Sequence, residues 1–395
     1  MPLIARPTST TIPFGIWTLG GVSLLMDVSS EMIHSLLPLF MVGALGASAT
    51  TVGIIEGLAE ATALCIKVFS GALSDYLGKR KALAVCGYAL GALSKPLFAL
   101  AGGAGAVLGA RIIDRIGKGI RGAPRDAMVA DLAPPAIRGA AFGLRQALDT
   151  VGAFLGPLLA CGLMLLWHDD FRAVFWVAVV PGLLAVLLLI VGVREPEHHG
   201  ETRTNPIHPA NIRRLGTAYW GVVGIGTLFT LARFSEAFLV LRAQQGGIAP
   251  AFIPLVMVAM NAIYAATAYP FGRLADRCDH SRLLAAGLLV LLAADLVLAS
   301  GEQTARVLIG VALWGVHMGM TQGLLATMVA DTAPADLRGT AFGVFNQACG
   351  LAMLIASLLA GLLWDRYGAG STFLAGSAFC ALTLLGLFVR RQRRR

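Results

Sequence analysis

Residues 128–143 read MVADLAPPAIRGAAFG, and residues 328–343 read MVADTAPADLRGTAFG. Eleven of these sixteen positions match at an offset of 200 residues. A second pair, GALSDYLGKR from Gly71 and GRLADRCDHS from Gly272, recurs at an offset of 201. Two matches in one register indicate that the chain contains two copies of a single ancestral unit.

The composition places both copies in lipid. Apolar types make up 57% of the 395 residues and charged types 13%, with a mean hydropathy of +0.75, whereas a soluble protein carries about 25% charged residues. Lipid forces a spanning backbone to satisfy its own hydrogen bonds, which favours helices. We therefore predict an all-α membrane protein whose twelve transmembrane helices form two six-helix, pseudo-symmetric bundles. The apolar stretches lie near 14–43, 50–72, 82–103, 105–128, 140–166, 171–193, 216–243, 250–273, 283–300, 304–328, 340–363 and 370–389.

The polar segment from Arg194 to Arg214 divides the chain. It predicts an N-terminal bundle at 1–193, a cytoplasmic linker at 194–215, and a C-terminal bundle with a basic tail at 216–395. An even number of spans and the basic loops, such as KRK at 79–81, predict that both termini are cytoplasmic. The net charge of +9 is therefore attributed to basic segments on the cytoplasmic side and does not indicate nucleic-acid binding. Spans three and nine carry one charge each, Lys95 and Asp295, which predicts that the third helix of each three-helix unit faces lipid.

Several classes of function lack their sequence signals. The six cysteines form no CxxC pair, which indicates buried thiols. The methionines near His317 do not stack on one helix face, so we expect no metal site. There is no GxxxxGK[ST], GxSxG or HExxH motif, which argues against an ATP-driven pump and an enzyme.

The loop GALSDYLGKRK, which joins spans two and three, resembles the signature G-x-L-x-D-x-x-G-R-K of the major facilitator superfamily. Lys79 stands where that family usually has Arg. The resemblance implies a transporter in which this loop locks the cytoplasmic side in one state of the cycle; a plain turn with basic anchors is the alternative. The implied gate residues are Gly71, Asp75, Gly78, Lys79 and Arg80, with Gly272, Asp276 and Arg277 as a degraded second copy.

Span four carries a stripe of cationic side chains that includes Arg111 and Arg115. Each charge in a membrane helix costs about 2.5–3.5 kcal/mol on the insertion scale, so the stripe must face water, a substrate or acids. Residues 115–123 resemble the family's fourth-helix motif R-x-x-Q-G-x-G-A-A, which is associated with proton transfer, with Lys118 and Arg121 as departures. Spans one, two, four and five offer seven acids and seven bases, which predicts an ion-pair network that either rearranges or only stabilises the fold. The acids are Asp27, Glu31, Glu56, Glu60, Asp114, Asp126 and Asp149, and the bases are Lys67, Arg111, Arg115, Lys118, Arg121, Arg125 and Arg145.

Span one places Asp27 and Glu31 four residues apart on one helix face. Burial and like charge both disfavour ionisation of such a pair, as a proton carrier requires. The competing interpretation is that these acids only neutralise span four. We predict a proton-coupling group of Asp27, Glu31, Asp114, Arg111 and Arg115.

Span five contains GAFLGPLLACG. Gly152, Gly156 and Pro157 resemble the family's antiporter motif G-x-x-x-G-P-x-x-G-G, which marks exporters. Ala160 and Cys161 replace its last two glycines. Packing of small residues between helices is the alternative explanation.

These features together predict a proton-coupled secondary transporter that exports a small molecule by rocking its halves around a central cavity. A proton symporter that imports a small solute or metal complex is the alternative, and a sensor without flux is a third class. We expect a monomer in the cytoplasmic membrane, driven by the proton gradient without a cofactor. The predicted cavity residues are His34, Glu56, Arg145, Arg233, Glu236, Asn261, His317, Gln322 and Asn346.

Overall fold

The computed structural model describes residues 12–77, 79–134, 137–195, 212, 214–275, 278–321, 323–334 and 337–392. Within these ranges there is no β-strand. The main helices are α1 (Phe14–His34), α2 (Ala49–Leu77), α3 (Arg80–Leu100), α4 (Ala104–Leu132), α5 (Arg138–Leu166), α6 (Phe171–Gly192), α7 (Thr217–Ala232), α8 (Ala237–Gln245), α9 (Pro254–Ala275), α10 (His280–Ala299), α11 (Thr304–Thr321), α12 (Leu324–Thr332), α13 (Arg338–Tyr367) and α14 (Ala369–Gln392).

Several predicted positions are not covered. Gly78, Asp276, Arg277 and Gln322 lie outside the described residues. Asp75 and Gly71 are described only by their place in α2, and nothing further is described at these two positions.

Ten segments are long and apolar enough to cross a membrane by length and composition. Helices α2 and α4 are not among them, and in α4 the reason is its dense charge. Each has 29 residues, or about 43 Å at 1.5 Å per residue, which is ample for a hydrocarbon core of about 30 Å. The charged side chains of Arg111, Asp114 and Arg115 in α4 are buried, so α4 stands inside the bundle. Twelve helical spans result, and the predicted fold class is confirmed.

Two spans are interrupted where they meet the centre of the protein. After α1 the chain continues through a helical turn at Leu37–Leu39 and a π-helical turn at Phe40–Ala44. The seventh span breaks between α7 and α8, across Arg233–Glu236. Such breaks are tolerated at membrane depth where the freed backbone lines a cavity. In the tenth span, α11 ends at Thr321 and α12 begins at Leu324, and residue 322 lies outside the described residues.

The repeat found in the sequence is also visible in the packing. Arg80, at the start of α3, forms an ion pair with Asp131 of α4. Two hundred residues further on, Nδ1 of His280 at the start of α10 lies 3.7 Å from Oδ2 of Asp331 in α12. The same positions therefore connect the same pair of spans in each half.

The halves meet chiefly along α2 and α13, and also where α5 packs on α9.

The two sides of the bundle are named by the segments they carry. The side that carries the start of α1 is the terminal side, and the side that carries residues 45–48 and 101–103 is the opposite side. On the opposite side, Asp365 of α13 accepts hydrogen bonds from the backbone N–H groups of Ala49 (3.1 Å) and Thr50 (2.8 Å). These are unsatisfied donors at the positive end of α2. Asp365 therefore joins the two halves on this side.

Candidate functional site: a charged cavity between the halves

A cavity of about 250 Å³ lies between the two halves. Helices α1, α2 and α4 supply one wall, and the break between α7 and α8, together with α9 and α13, supplies the other. Eight of its sixteen lining residues are charged, so the cavity suits a polar ligand better than a purely apolar one. The lining residues are Glu31, His34, Pro38, Glu56, Glu60, Arg111, Arg115, Lys118, Arg233, Phe234, Ser235, Glu236, Ala237, Val240, Met257 and Met353.

The stripe of α4 begins with a paired arginine. Arg111 Nη2 lies 2.5 Å from Glu56 Oε2, and Arg111 Nε donates to Glu56 Oε1 at 3.1 Å. This two-point geometry is the strong form of an arginine–carboxylate contact. Both side chains are buried, so breaking the pair without a replacement would leave a buried charge without a partner.

A second pair lies behind the cavity wall. Lys95 Nζ of α3 donates to Asp114 Oδ1 at 2.7 Å and to Ser30 Oγ at 3.0 Å. Lys95 is 1% exposed. Although α3 supplies no lining residue among those described, its one interior charge points at α4 and not at lipid.

Arg115 links three elements of the cavity wall. Its Nη2 lies 3.2 Å from Glu60 Oε1 in α2 and 2.8 Å from His34 Nε2 in α1. His34 Nδ1 in turn lies 3.9 Å from Glu31 Oε1. A proton gained or lost at Glu31 would therefore change the electrostatic surroundings of Arg115 through the imidazole between them.

The acids of α1 are the least paired charges of the cavity region. Within the described part of the chain Asp27 makes no hydrogen bond or ion pair, and Glu31 has only the distant contact with His34. Lys118 also lines the cavity and has no ion pair there. Asp27 and Glu31 are both partly exposed; Glu31 lines the cavity, whereas Asp27 lies one helical turn away from it and is not among the lining residues.

A second cluster lies between the cavity and the terminal side. Arg145 of α5 donates to Asp149 Oδ2 at 2.6 Å, one turn away, and its Nε lies 3.7 Å from Asp126 Oδ1. Arg125 reaches Asp126 at 3.2 Å and Asp149 at 3.8 Å. Arg145, which we expected to line the cavity, thus belongs to this group of four.

The glycines of α5 determine how close α1 can lie. A Cβ at Gly152 would stand 2.6 Å from the carbonyl oxygen of Leu24 and 3.0 Å from Asp27 Cβ. A Cβ at Gly156 would stand 2.8 Å from both Val28 O and Glu31 Cβ. Only glycine allows this approach, so the segment that resembles the antiporter motif packs on the helix face that carries both acids.

The predicted residues of the C-terminal half fall into two groups. Arg233 and Glu236 line the cavity at the helix break, with Nη2 and Oε1 3.5 Å apart. His317 does not line it: the ring is fully buried, Nδ1 lies 2.8 Å from Gly287 O, and Phe229 packs against it. Asn261 and Asn346 are half-buried and are not among the lining residues.

The remaining predicted residues lie near helix ends or inside α5. Lys79 is exposed just before α3, Gly272 is exposed in α9, and Pro157 is buried within α5. In the described ranges, no three His, Cys, Asp or Glu side chains come together as a metal site would require.

The structure also shows site features that we did not predict. Phe234 and Ser235 line the cavity because the seventh span breaks there. The signal in the sequence was a serine between two charged residues in an otherwise apolar span. The guanidinium of Arg121 stacks 4.9 Å from the ring centre of Tyr88, a contact between α3 and α4 that no spacing indicates.

Comparison with known proteins agrees with this fold. The family model of the Major Facilitator Superfamily matches residues 19–346 and 218–395. An MFS-type transporter of Methanocaldococcus jannaschii is 32% identical over 382 residues, covering 95% of this chain and 94% of its relative. The quinolone resistance protein NorA of Staphylococcus aureus is 22% identical, covering 92% and 93% of the two chains. The crystal structure of the nucleoside transporter NupG superposes with a TM-score of 0.81 at 11% identity, covering 95% and 99%.

The chain therefore belongs to the Major Facilitator Superfamily. It is a multi-pass membrane protein with the fold of membrane transporters for small molecules, and the predicted resemblance is confirmed.

Proposed function

We propose that this protein is a proton-coupled transporter that exports a small molecule by alternating access. The observation that carries the proposal is the position of Asp27 and Glu31. Glu31 lines the cavity and Asp27 lies one helical turn from it, both without a close cationic partner in the described structure, while Arg111 and Arg115 are paired. Each acid can therefore take up a proton, or the charge of a substrate, without first breaking an ion pair.

The same arrangement gives a physical basis for exchange. While the cavity is open, water stabilises an ionised Asp27 or Glu31. When the cavity closes, an ionised acid must bind a cation or a proton, because an unpaired buried charge costs several kcal/mol. A cationic substrate and a proton thus compete for the same carboxylates, so one leaves as the other binds.

Export as the direction is supported by two findings. Gly152 and Gly156 resemble the antiporter motif and pack directly on the acids of α1. One relative is a quinolone resistance protein, and removal of the compound from the cell is a direct way for a membrane transporter to give resistance. From the basic loops we also propose that both termini lie in the cytoplasm, that the protein works as a monomer in the cytoplasmic membrane, and that the proton gradient drives it without a cofactor.

Symport is the second candidate, and Lys118 favours it. This lysine lines the cavity without an ion pair in the described structure. If Asp27 and Glu31 were protonated, Lys118 and Arg115 would offer positive charge to an anionic solute, which would then travel with the protons.

Proteoliposomes separate these functions. Purified protein is reconstituted with a pH-sensitive dye inside, and a pH gradient is imposed in either direction. A panel of small cations and anions is then added, including the fluorescent quinolone norfloxacin. Accumulation of a compound in vesicles with an acidic lumen, together with alkalinisation of the lumen, is expected for the exporter. Accumulation driven by an acidic exterior would identify a symporter.

A further inference from the structure

One pair of equivalent positions carries different residues in the two halves of the chain. In the N-terminal half, Lys95 of α3 and Asp114 of α4 form a buried ion pair of 2.7 Å. The positions 200 residues further on are Asp295 of α10 and Trp314 of α11. Helices α10 and α11 pack in the matching register, with Leu298 on Gly310 and Thr321 on Gly287, which places Asp295 at the level of Trp314.

Asp295 has no charge to balance it. The residue is 0% exposed, and neither carboxyl oxygen has a hydrogen-bond partner within the described structure. The indole Nε1 of Trp314 is also buried without an acceptor. An ionised carboxylate in such a place would cost several kcal/mol, so this position calls for a neutral acid.

In the described part of the chain, the groups that packing and register place around Asp295 include no cation without a partner. Helix α14 contributes Gly376, whose Cβ would stand 2.6 Å from Oδ2, and the thiol of Cys380. From α11 come Trp314 and, one turn further, His317, whose Nδ1 is held by Gly287 O. In α8, Arg242 is committed to Leu298 O at 3.1 Å and to Glu302 at 3.5 Å.

A metal ion does not fit this position. Gly376 lies directly against the carboxyl group, which leaves no room for the six or more oxygen ligands that a hard cation such as Ca²⁺ or Mg²⁺ collects. A proton needs no such space.

Phe234 reaches both the cavity and the surroundings of Asp295. Phe234 lines the cavity at the helix break, and its Cε1 would lie 3.2 Å from the same Gly376 Cβ that meets Asp295. Arg233 and Glu236 flank this ring on the cavity side. A movement of the break would bring cavity water to Asp295.

We propose that Asp295 is a second proton-binding site, located in the C-terminal half, which exchanges its proton with the central cavity when the break between α7 and α8 moves. In exchange the neutral acid gives its proton to a water molecule of the cavity, which becomes a hydronium ion, and the carboxylate is protonated again when a hydronium ion returns the proton. The place of this step in transport rests on the proposed function, whereas the protonation itself does not.

Infrared absorption of the purified full-length protein tests the protonation without any substrate. A protonated carboxyl gives a C=O stretch separate from that of a carboxylate. At neutral pH we expect a band that is lost in Asp295→Asn and retained in Asp27→Asn. The matched control is Asp279→Asn, which changes an exposed acid just before the same helix and should leave the band intact. If Asp295→Asn fails to fold, Asp295→Glu keeps the acid and should shift the band without removing it.

Transfer to D₂O tests the exchange. The band of Asp295 should shift slowly in the wild type and faster in Phe234→Ala, because the ring that reaches both the cavity and the surroundings of the carboxyl is gone. A wild-type spectrum without a band sensitive to substitution at Asp295 would overturn the proposal, as would a band that never shifts in D₂O in either protein. If Asp27→Asn and Glu31→Gln both remain coupled to the proton gradient, the proposed function is wrong. The assignment of Asp295 as a proton-binding site would still stand.

Discussion

Loss of Asp365 should shift the protein away from the conformation in which the opposite side is closed. Its carboxylate accepts N–H groups of Ala49 and Thr50 across the two halves, at 3.1 and 2.8 Å. The side chain is exposed, so its two bonds resemble a helix N-cap, which is worth about 1 kcal/mol and up to about 2. Asp365→Ala should therefore change the ratio of closed to open molecules about 5- to 30-fold.

Distances between spin labels on the opposite side report this ratio. Labels can be placed on Gly102→Cys, where a side chain would meet nothing within 4 Å, and on Gln303→Cys in the other half. The exposed Cys86 and Cys278 are first replaced by serine. The wild type should give mostly the short distance, and Asp365→Ala should add a longer one.

Asp170 provides a matched control. It accepts the N–H groups of Arg172 and Ala173 at 3.0 and 3.1 Å, so it caps a helix on the same side with the same chemistry, but within one half. Asp170→Ala should leave the distance distribution unchanged. If Asp365→Ala gives the wild-type distribution, or if both variants shift it equally, the contact does not hold the halves together.

Three further predictions concern packing, the interior ion pair and topology. Gly156→Ala should lower the unfolding free energy by about 1–3 kcal/mol, because its Cβ would meet Val28 O at 2.8 Å. Gly162→Ala, whose Cβ would meet nothing within 4 Å, should not lower it. Thermal unfolding compares the two variants, and equal losses of stability would contradict the close packing. Lys95→Met should destabilise by at most about 3–5 kcal/mol, because it removes the closest partner of the buried Asp114 and leaves Arg111 Nη1 and Arg115 Nε at 3.9 and 4.0 Å. Adding Asp114→Leu should restore part of that stability, and a double variant no better than the single one would refute the pairing. A reporter enzyme active only in the periplasm should be silent when fused to the C-terminus, and a bright signal would reverse the proposed orientation.

The fold was predictable because its determinants are local or repeated. Twelve apolar stretches predict the twelve spans, and the repeat supports their division into two halves. In α4, the charges that make a membrane helix hard to recognise also place it in the interior, since the seven acids and seven bases of the N-terminal spans can balance one another there. The broken seventh span was not predictable from periodicity, because Arg233, Phe234 and Glu236 all fit a continuous helix.

The partners within the site were less predictable. The sequence indicated that Arg111 needs an acid, but Glu56 lies 55 residues away on another helix, and only packing selects it. Lys95 was expected on a lipid-facing helix, yet that helix turns its one charge inward to Asp114. Asp365 meets its partners 315 and 316 residues away, and nothing near it in the sequence indicates that contact.

The most direct test of proton coupling is transport by Asp27→Asn in proteoliposomes with and without a pH gradient. Asparagine keeps the shape of the side chain but cannot release a proton, and Asp27 makes no ion pair in the described structure whose loss would disturb the fold. We predict that Asp27→Asn binds the transported compound yet no longer concentrates it when the lumen is acidic, while Asp279→Asn transports like the wild type. Accumulation by Asp27→Asn against a concentration gradient, at the wild-type level, would show that Asp27 is not the coupling site.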